Sequence, residues 1–239
     1  MTRQVSIGLA FSLALAASSF GAPRDAGRPR IESQRQITIR IHNYAKVKPS
    51  VLLPAERAAA DIFREAGVDS NWVECLAGET ELAEAACTSP MTPLVLVLNL
   101  LPRSMAQRLH FRDEVFGVAM ESTGKDFGFF ASVFYDNVKD CAVQRQLDFA
   151  QLLGDAMAHE LAHLLLGTNS HSSQGLMCAF WSRKKLLVAV QRGLSLSSSE
   201  TKRLHIALTA RKLAALSGSS SPELLAMTNT HIVSLGAMK

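Results

Sequence analysis

From Ala156 to Gly167 the chain reads AMAHELAHLLLG, and this segment restricts the fold more than any other. On a helix of 3.6 residues per turn, Met157, Ala158, Leu161, Ala162, Leu164, Leu165 and Leu166 cover nearly the whole circumference. A helix that is apolar all round belongs inside a protein, not on its surface. Yet the same segment carries His159, Glu160 and His163. Ionisable groups inside a buried helix need polar partners or a metal ion.

The spacing favours a metal. Two histidines four residues apart lie on one helical face, one turn above the other, so their rings converge on one point. Glu160 sits about 100° round from His159, where it flanks an ion without ligating it and can take a proton from a water beside it. A catalytic zinc ordinarily takes three protein ligands and keeps one open position. Gly167 stops the helix and lets the chain double back, which brings His171, eight residues after His163, within reach of the same ion. Asn169 is a weak zinc ligand, and Glu200 lies far downstream in what reads as the first turn of another helix. The expected site is therefore Zn2+ held by His159, His163 and His171, with Glu160 as general base.

Shortly after His171 follows Gly175-Leu176-Met177. An HExxH helix, a glycine turn, a third histidine and a methionine turn together resemble the metzincin zinc metallopeptidases. The resemblance implies that His159, His163 and His171 are the ligands, Glu160 the base, Gly167 the turn glycine and Met177 the methionine of the turn beneath the metal. It also implies an edge strand above the cleft for pairing with substrate, a place that the strand Gly128 to Tyr135 would fill. The usual spacing is HExxHxxGxxH. This chain has HExxHxxxGxxxH, one residue more on each side of the glycine, and its methionine follows the last histidine after only six residues. In style it is closest to compact archaemetzincin-type proteins, without their cysteine cluster. For Met177 the plain alternative is a core methionine.

The rest of the chain reads as an α/β (α+β) domain: a mixed twisted sheet, a long active-site helix and a helical C-terminal part. Gln36 to Tyr44 alternates Ile37, Ile39 and Ile41 with polar partners, the period of a half-buried strand. Pro54 to Ala66 reads as a helix opened by proline and stopped by Gly67. Val68 to Glu74, Pro93 to Leu101, Phe116 to Met120 and Gly128 to Tyr135 read as strands, with a turn at Ser122 to Asp126. The apolar run of Pro93 to Leu101 implies burial on both faces. A long helix is expected from Asp140 or Cys141 to Gly167. Two more, Arg183 to Arg192 and Ser199 to Leu216, follow the site, the second capped by Ser198 or Ser199. The catalytic domain is thus expected over 36–216, with 217–239 as a short helix or disordered tail.

Arg3, the apolar stretch Val5 to Ala17 and the small residues Ser18 to Ala22 form the tripartite pattern of a secretory signal peptide, expected over 1–21. Cleavage after Ser19, Gly21 or Ala22 fits equally. The stretch is shorter than the roughly 20 apolar residues of a membrane span, so no stable span is expected after cleavage. Residues 22–35 read as a flexible N-terminus, too short for a large pro-domain. Of the four cysteines, Cys75 and Cys87 flank a glycine-containing loop and form the expected disulfide, with Cys141 and Cys178 left to pair by elimination. No CxxC spacing supports a cysteine zinc site.

With a net charge of +4 and only a short basic run at Arg183 to Lys185, nucleic acid is not an expected partner. No phosphate loop and no Gly-x-Ser-x-Gly elbow occurs. The expected protein is a secreted or periplasmic zinc metallopeptidase acting on a peptide or protein, its oligomeric state open. Two alternatives stand: a secreted zinc-binding module without proteolytic activity, and an interaction protein whose HExxH is chance.

Overall fold

Ile37, Ile39 and Ile41 are buried on one side of the first strand, as their period of two requires. Around that strand the computed structural model builds a mixed α/β fold; it describes residues 35–75, 81–122, 127–167, 170–182, 184–187, 193–217 and 230–237. The elements run β1 (Gln36–Asn43), α1 (Pro49–Glu65), β2 (Asp69–Glu74), α2 (Glu81–Thr88), β3 (Val95–Leu101), α3 (Arg103–Arg108), β4 (Val115–Ser122), β5 (Phe130–Phe134), α4 (Tyr135–Arg145), α5 (Phe149–Leu166), β6 (Phe180–Trp181), α6 (Ser198–Leu216) and β7 (Thr230–Ala237). The expected signal peptide at 1–21 and N-terminal segment to residue 34 lie outside the described residues.

The strands form one sheet in the order β2-β1-β3-β5-β4-β7-β6. All pairings are parallel except the two that β4 makes, with β5 and β7, so β4 alone runs against its neighbours. β3 is buried on both faces, as its unbroken apolar run predicts. The strand expected to form an edge, β5, is interior instead, between β3 and β4. Both its edges are paired, and Ala131, Val133 and Phe134 are buried while Phe130 and Ser132 are half-buried.

Helix α5 lies against β3, β4 and β5 and is flanked by α1, α4 and α6. Every residue from Leu152 to Leu166 is buried. On the sheet beneath it, Gly117 pairs with Val133 and Ala119 with Ala131, and these small residues let the helix come close. The approach of α1 is tighter still, since a Cβ at Gly154 would lie 2.5 Å from the Ala55 carbonyl oxygen and 2.7 Å from the Ala58 Cβ. The far face of the sheet carries a smaller cluster of Leu101, Ala106, Val118 and Phe134.

Several boundaries differ from expectation. Helix α1 starts at Pro49, with Pro54 inside it. A proline at the sixth position forfeits only the bond to Ser50, whose exposure leaves that carbonyl to water. The single long helix is two: Gln146 adopts φ 55, and Asp148 caps α5 by accepting the Gln151 N–H at 2.9 Å. The cap of α6 is Ser197 rather than Ser198 or Ser199, in a reciprocal capping box with Glu200. Residues 230–237 form a strand on β4, in place of a short helix or disordered tail, because β4 offers an unpaired ladder to an uncharged, β-branched segment. Residues 230–237 thus join the sheet of the domain expected over 36–216. Of the helix expected over Arg183 to Arg192, residues 184–187 are helical and the others lie outside the described residues.

Cys75 and Cys87 form the expected disulfide, with Cα atoms 5.7 Å apart. Cys141 and Cys178 do not pair; both are buried thiols. Cys141 sits on α4, in the core, while Cys178 lies after the methionine turn and receives the Lys185 ammonium at 2.8 Å. Elimination counts cysteines, and pairing needs their Cα atoms within about 7 Å.

The tight helix crossing is testable. Gly154→Ala gains helix propensity, but its methyl meets backbone, so a net loss of about 1–3 kcal/mol is expected in urea unfolding. Unchanged or increased stability would show that α1 and α5 are not locked at this contact.

Candidate metal centre

Three imidazoles converge where the sequence places them. His163 Nε2 lies 2.9 Å from His159 Nε2 and 3.1 Å from His171 Nε2. Ligand atoms of all three lie within 4.8 Å of one another, and among the described residues this is the group able to hold a metal ion. A tetrahedral ion with Zn–N bonds of about 2.0–2.1 Å separates its ligands by roughly 3.3 Å, so His163 needs to move from His159 and from His171 by only a few tenths of an ångström.

The Nδ1 atoms of His159 and His163 both have partners. The Leu176 carbonyl oxygen, which can only accept, lies 2.7 Å from His159 Nδ1. The proton of neutral His159 therefore sits on Nδ1, and its Nε2 lone pair faces the cluster. Ser170 Oγ lies 2.6 Å from His163 Nδ1 and can hold that ring in the same tautomer. With the His159 proton drawn outward, its Nε2 lone pair faces the other two rings, an arrangement that suits a cation. Burial pushes His159 well below the ordinary histidine pKa, reinforced by His163. Burial first, and His171 second, bring His163 down to about 3. Both rings stay neutral at physiological pH, as metal binding requires.

His159 and His163 are sealed from solvent and His171 is exposed, so solvent reaches the cluster from the His171 side. The buried face is closed by Trp181, whose ring meets that of His159 edge-on at 5.8 Å and that of Phe116 at 6.3 Å.

The loop from Ser170 to Cys178 is tied to itself and to the preface of α6. Ser172 donates its backbone N–H to the Met177 carbonyl at 2.8 Å, which fixes the chain beside His171. Leu176 donates to the Ser195 carbonyl at 3.0 Å. Met177 is fully buried in the main core. Its backbone thus anchors the loop that carries His171, and its neighbour Leu176 orients His159. Asp155, one turn before His159, accepts from Gln151 Nε2 at 3.0 Å and from the Leu194 backbone. A chain of contacts therefore runs from α5 through Leu194 and Ser195 to Leu176 and back to His159.

Glu160 is fully buried on the side of α5 that faces β4. A Cβ at Gly117 would lie 2.7 Å from both Glu160 Cγ and Oε1, and equally close to the Ser132 carbonyl. The absent side chain at 117 is the space that the carboxylate occupies.

Gly167 ends α5 with φ 74 and ψ −167, backbone open essentially to glycine alone, and so turns the chain toward His171. Beyond it, Arg203 donates to the Leu166 carbonyl at 2.9 Å and Arg211 to that of Leu164 at 2.6 Å. Cations at a helix C-terminus offset its dipole. Buried Arg211 also donates to the Pro93 and Gly128 carbonyls, at 2.7 and 2.8 Å.

All expected ligands are thus brought together, with Glu160 next to them in sequence on the sheet side. Asn169 lies outside the described residues, and Glu200 serves the capping box of α6. His42 stacks on Tyr44 and His205 meets the Ala66 carbonyl, so neither joins the cluster. Tyr135 packs on Phe149. Sequence reasoning misses Ser170, Gly117, Asp155, Trp181 and the Leu176 carbonyl. Of these only Asp155 carries a signal, as a charged residue inside the buried stretch.

No family model matches the chain, and no curated protein matches it. Among solved structures, the solution structure of TM1509 from Thermotoga maritima is similar at 12% identity over 78% of this chain and 98% of that one, with a TM-score of 0.32. A likeness of that size carries no argument about function.

Burial raises the Asp155 carboxyl to about 7, against the lowering by Gln151 and Leu194. Between the unfolded value near 4 and about 7, the unfolded chain releases this proton while the folded one keeps it. The group's contribution is full below about 4 and is lost as pH rises toward 7. Asp155→Asn should therefore gain on the metal-free wild type as pH rises through that window, measured by urea unfolding. A pH-independent difference would contradict the assignment.

Proposed function

We propose that this chain is an exported zinc-dependent peptidase of the metzincin kind. The observation that carries the reading is the convergence of three imidazoles on one point, with His159 locked into the ligating tautomer by the Leu176 carbonyl. His159, His163 and His171 would hold the ion. Bound there, zinc would supply a positive charge that polarises a scissile carbonyl and makes a nearby water more acidic.

The chain's own residues do the rest. Glu160, immediately after the first ligand and seated over Gly117, takes the proton of the attacking water and passes it to the leaving amine. Trp181 and the core behind it keep the inner side of the cluster dry. His171 lies on the open side, where substrate arrives. Ser170, in the lengthened stretch between Gly167 and His171, holds His163, a task the shorter spacing of the family pattern leaves less chain to perform.

Two further features support the reading. A purely structural zinc site is closed by four protein ligands, whereas the described residues gather three. The Cys75–Cys87 disulfide fits an oxidising compartment, and with the N-terminal pattern it supports export. No helix among the described residues is long and apolar enough to cross a membrane.

Glu160→Gln separates the peptidase from a non-catalytic zinc module. The variant should keep one zinc per chain and lose about 100- to 10,000-fold in hydrolysis of an unstructured protein such as casein. Chelation should silence the wild type, and zinc should restore it. Zinc-loaded wild type no more active than the variant would rule out the peptidase.

Gly117→Ala tests the seat of the base. Its methyl displaces the Glu160 carboxylate, so kcat should fall about tenfold or more with KM and zinc content unchanged. An unchanged kcat would show that the position of Glu160 does not depend on this strand.

A further inference from the structure

Two buried thiols take no part in the metal centre, and one of them has a reactive neighbour. Cys178 follows the methionine turn and is 5% exposed. Three groups meet its sulfur: the Lys185 ammonium at 2.8 Å, the Phe180 carbonyl at 3.2 Å and the Ser173 carbonyl at 3.8 Å. Lys185 Nζ also donates to the Ser173 carbonyl at 2.8 Å, so the amine is pinned between that oxygen and the sulfur. Ordinary non-bonded carbon atoms stand about 3.5–4.0 Å apart, and this nitrogen and sulfur are nearer than that. The pair lies just beneath the surface, since Ser173 and Phe180 are exposed and Lys185 is half-buried. Cys178 also bridges Ser172, the residue after His171. A bond at its sulfur would therefore fasten the loop that carries His171 to the helical residues 184–187. Cys141, the other thiol, has Arg145 beside it, and a guanidinium stays protonated and is no nucleophile.

We propose that Cys178 and Lys185 form an oxidative modification site, where a hydroperoxide converts their contact into a reversible sulfur–nitrogen cross-link. The Cys178 sulfur attacks an oxygen of the hydroperoxide. An S–O bond forms, the O–O bond breaks, and the thiol proton leaves with the alcohol or water released. Sulfur loses two electrons and the hydroperoxide gains them. The Lys185 amine, having passed its extra proton to solvent, then attacks the sulfenic sulfur. An S–N bond forms, the S–O bond breaks, and hydroxide leaves as water with a second proton from the amine. One hydroperoxide is consumed, and the pair ends two hydrogens lighter. Contact gives the amine its advantage over any nucleophile arriving from solution, and the flexible lysine stem closes the remaining gap. Neither step draws on the metal or on Glu160.

The test uses the full chain with Cys141→Ala, which leaves Cys178 as the one thiol outside the Cys75–Cys87 disulfide. It is treated with hydrogen peroxide, with and without zinc. Peptide mapping by mass spectrometry should find the segments holding Cys178 and Lys185 joined, about 2 Da below the sum of their masses. Trypsin should no longer cut after Lys185, and dithiothreitol should separate the two segments. Lys185→Arg keeps a donor beside the sulfur but no condensing amine. In that variant the same treatment should leave sulfenic acid, trapped by dimedone, and its further oxidation products. Hydrogen exchange of the Ser172 and Cys178 amides should slow about tenfold or more on cross-linking and recover with dithiothreitol.

A Cys178 that stays a thiol, or that stops at the acid without joining Lys185, would overturn the proposal. So would a link from Cys178 to Lys184, or the same link formed in Lys185→Arg. Should Cys141→Ala lose its fold, the wild type gives the same reading, because mapping tells a Cys178–Lys185 link from a Cys141–Cys178 disulfide. A link formed by a chain that hydrolyses no peptide would uphold the modification site and count against the peptidase reading alone.

Discussion

The hydrogen bond from His159 to the Leu176 carbonyl is the contact on which the site depends. A fully buried imidazole must find an acceptor for its one proton, and where that acceptor lies decides which nitrogen is left for an ion. Here the acceptor is a backbone oxygen in the turn that follows the third histidine. The loop that delivers His171 therefore also sets the tautomer of His159. Ligand and orienting group arrive on the same nine residues, Ser170 to Cys178, and neither can shift without the other.

That loop is held from beneath by the C-terminal part of the chain. Ser195 accepts from Leu176, Leu194 bonds Asp155, and Arg203 and Arg211 of α6 engage the last carbonyls of α5. The helix that looks, in sequence, like an appendage after the site is a clamp on the end of the ligand helix. Arg211 shows how far this goes: its guanidinium, held down to about 10 by burial, reaches carbonyls from three separate segments. Placing a cation there reflects the concentration of unpaired carbonyls at the end of a helix and at two chain turns.

Much of this was legible before any coordinates. The three histidines and the buried helix follow from side-chain chemistry and period alone, and the alternation of Ile37, Ile39 and Ile41 marks β1. Signals carried by backbone are the ones that escape. Nothing in Leu176 announces a carbonyl aimed at an imidazole, and nothing in Gly117 announces a carboxylate above it. The break between α4 and α5 hides because Gln146 is an unremarkable residue in a left-handed conformation. The S-x-x-E box at Ser197 is readable, but neighbouring serines at 198 and 199 offer rival registers. β7 escapes because a strand's stability lies in its neighbour, here β4, and a terminal segment reveals its partner only when the sheet order is known.

X-ray absorption at the zinc edge reads whether one ion meets the imidazoles of His159, His163 and His171. One zinc per chain is expected, surrounded by three histidine nitrogens at about 2.0–2.1 Å and one oxygen ligand, with one nitrogen lost in His171→Ala. Sulfur at about 2.3 Å, or a shell unchanged by that substitution, would place the metal elsewhere and contradict it.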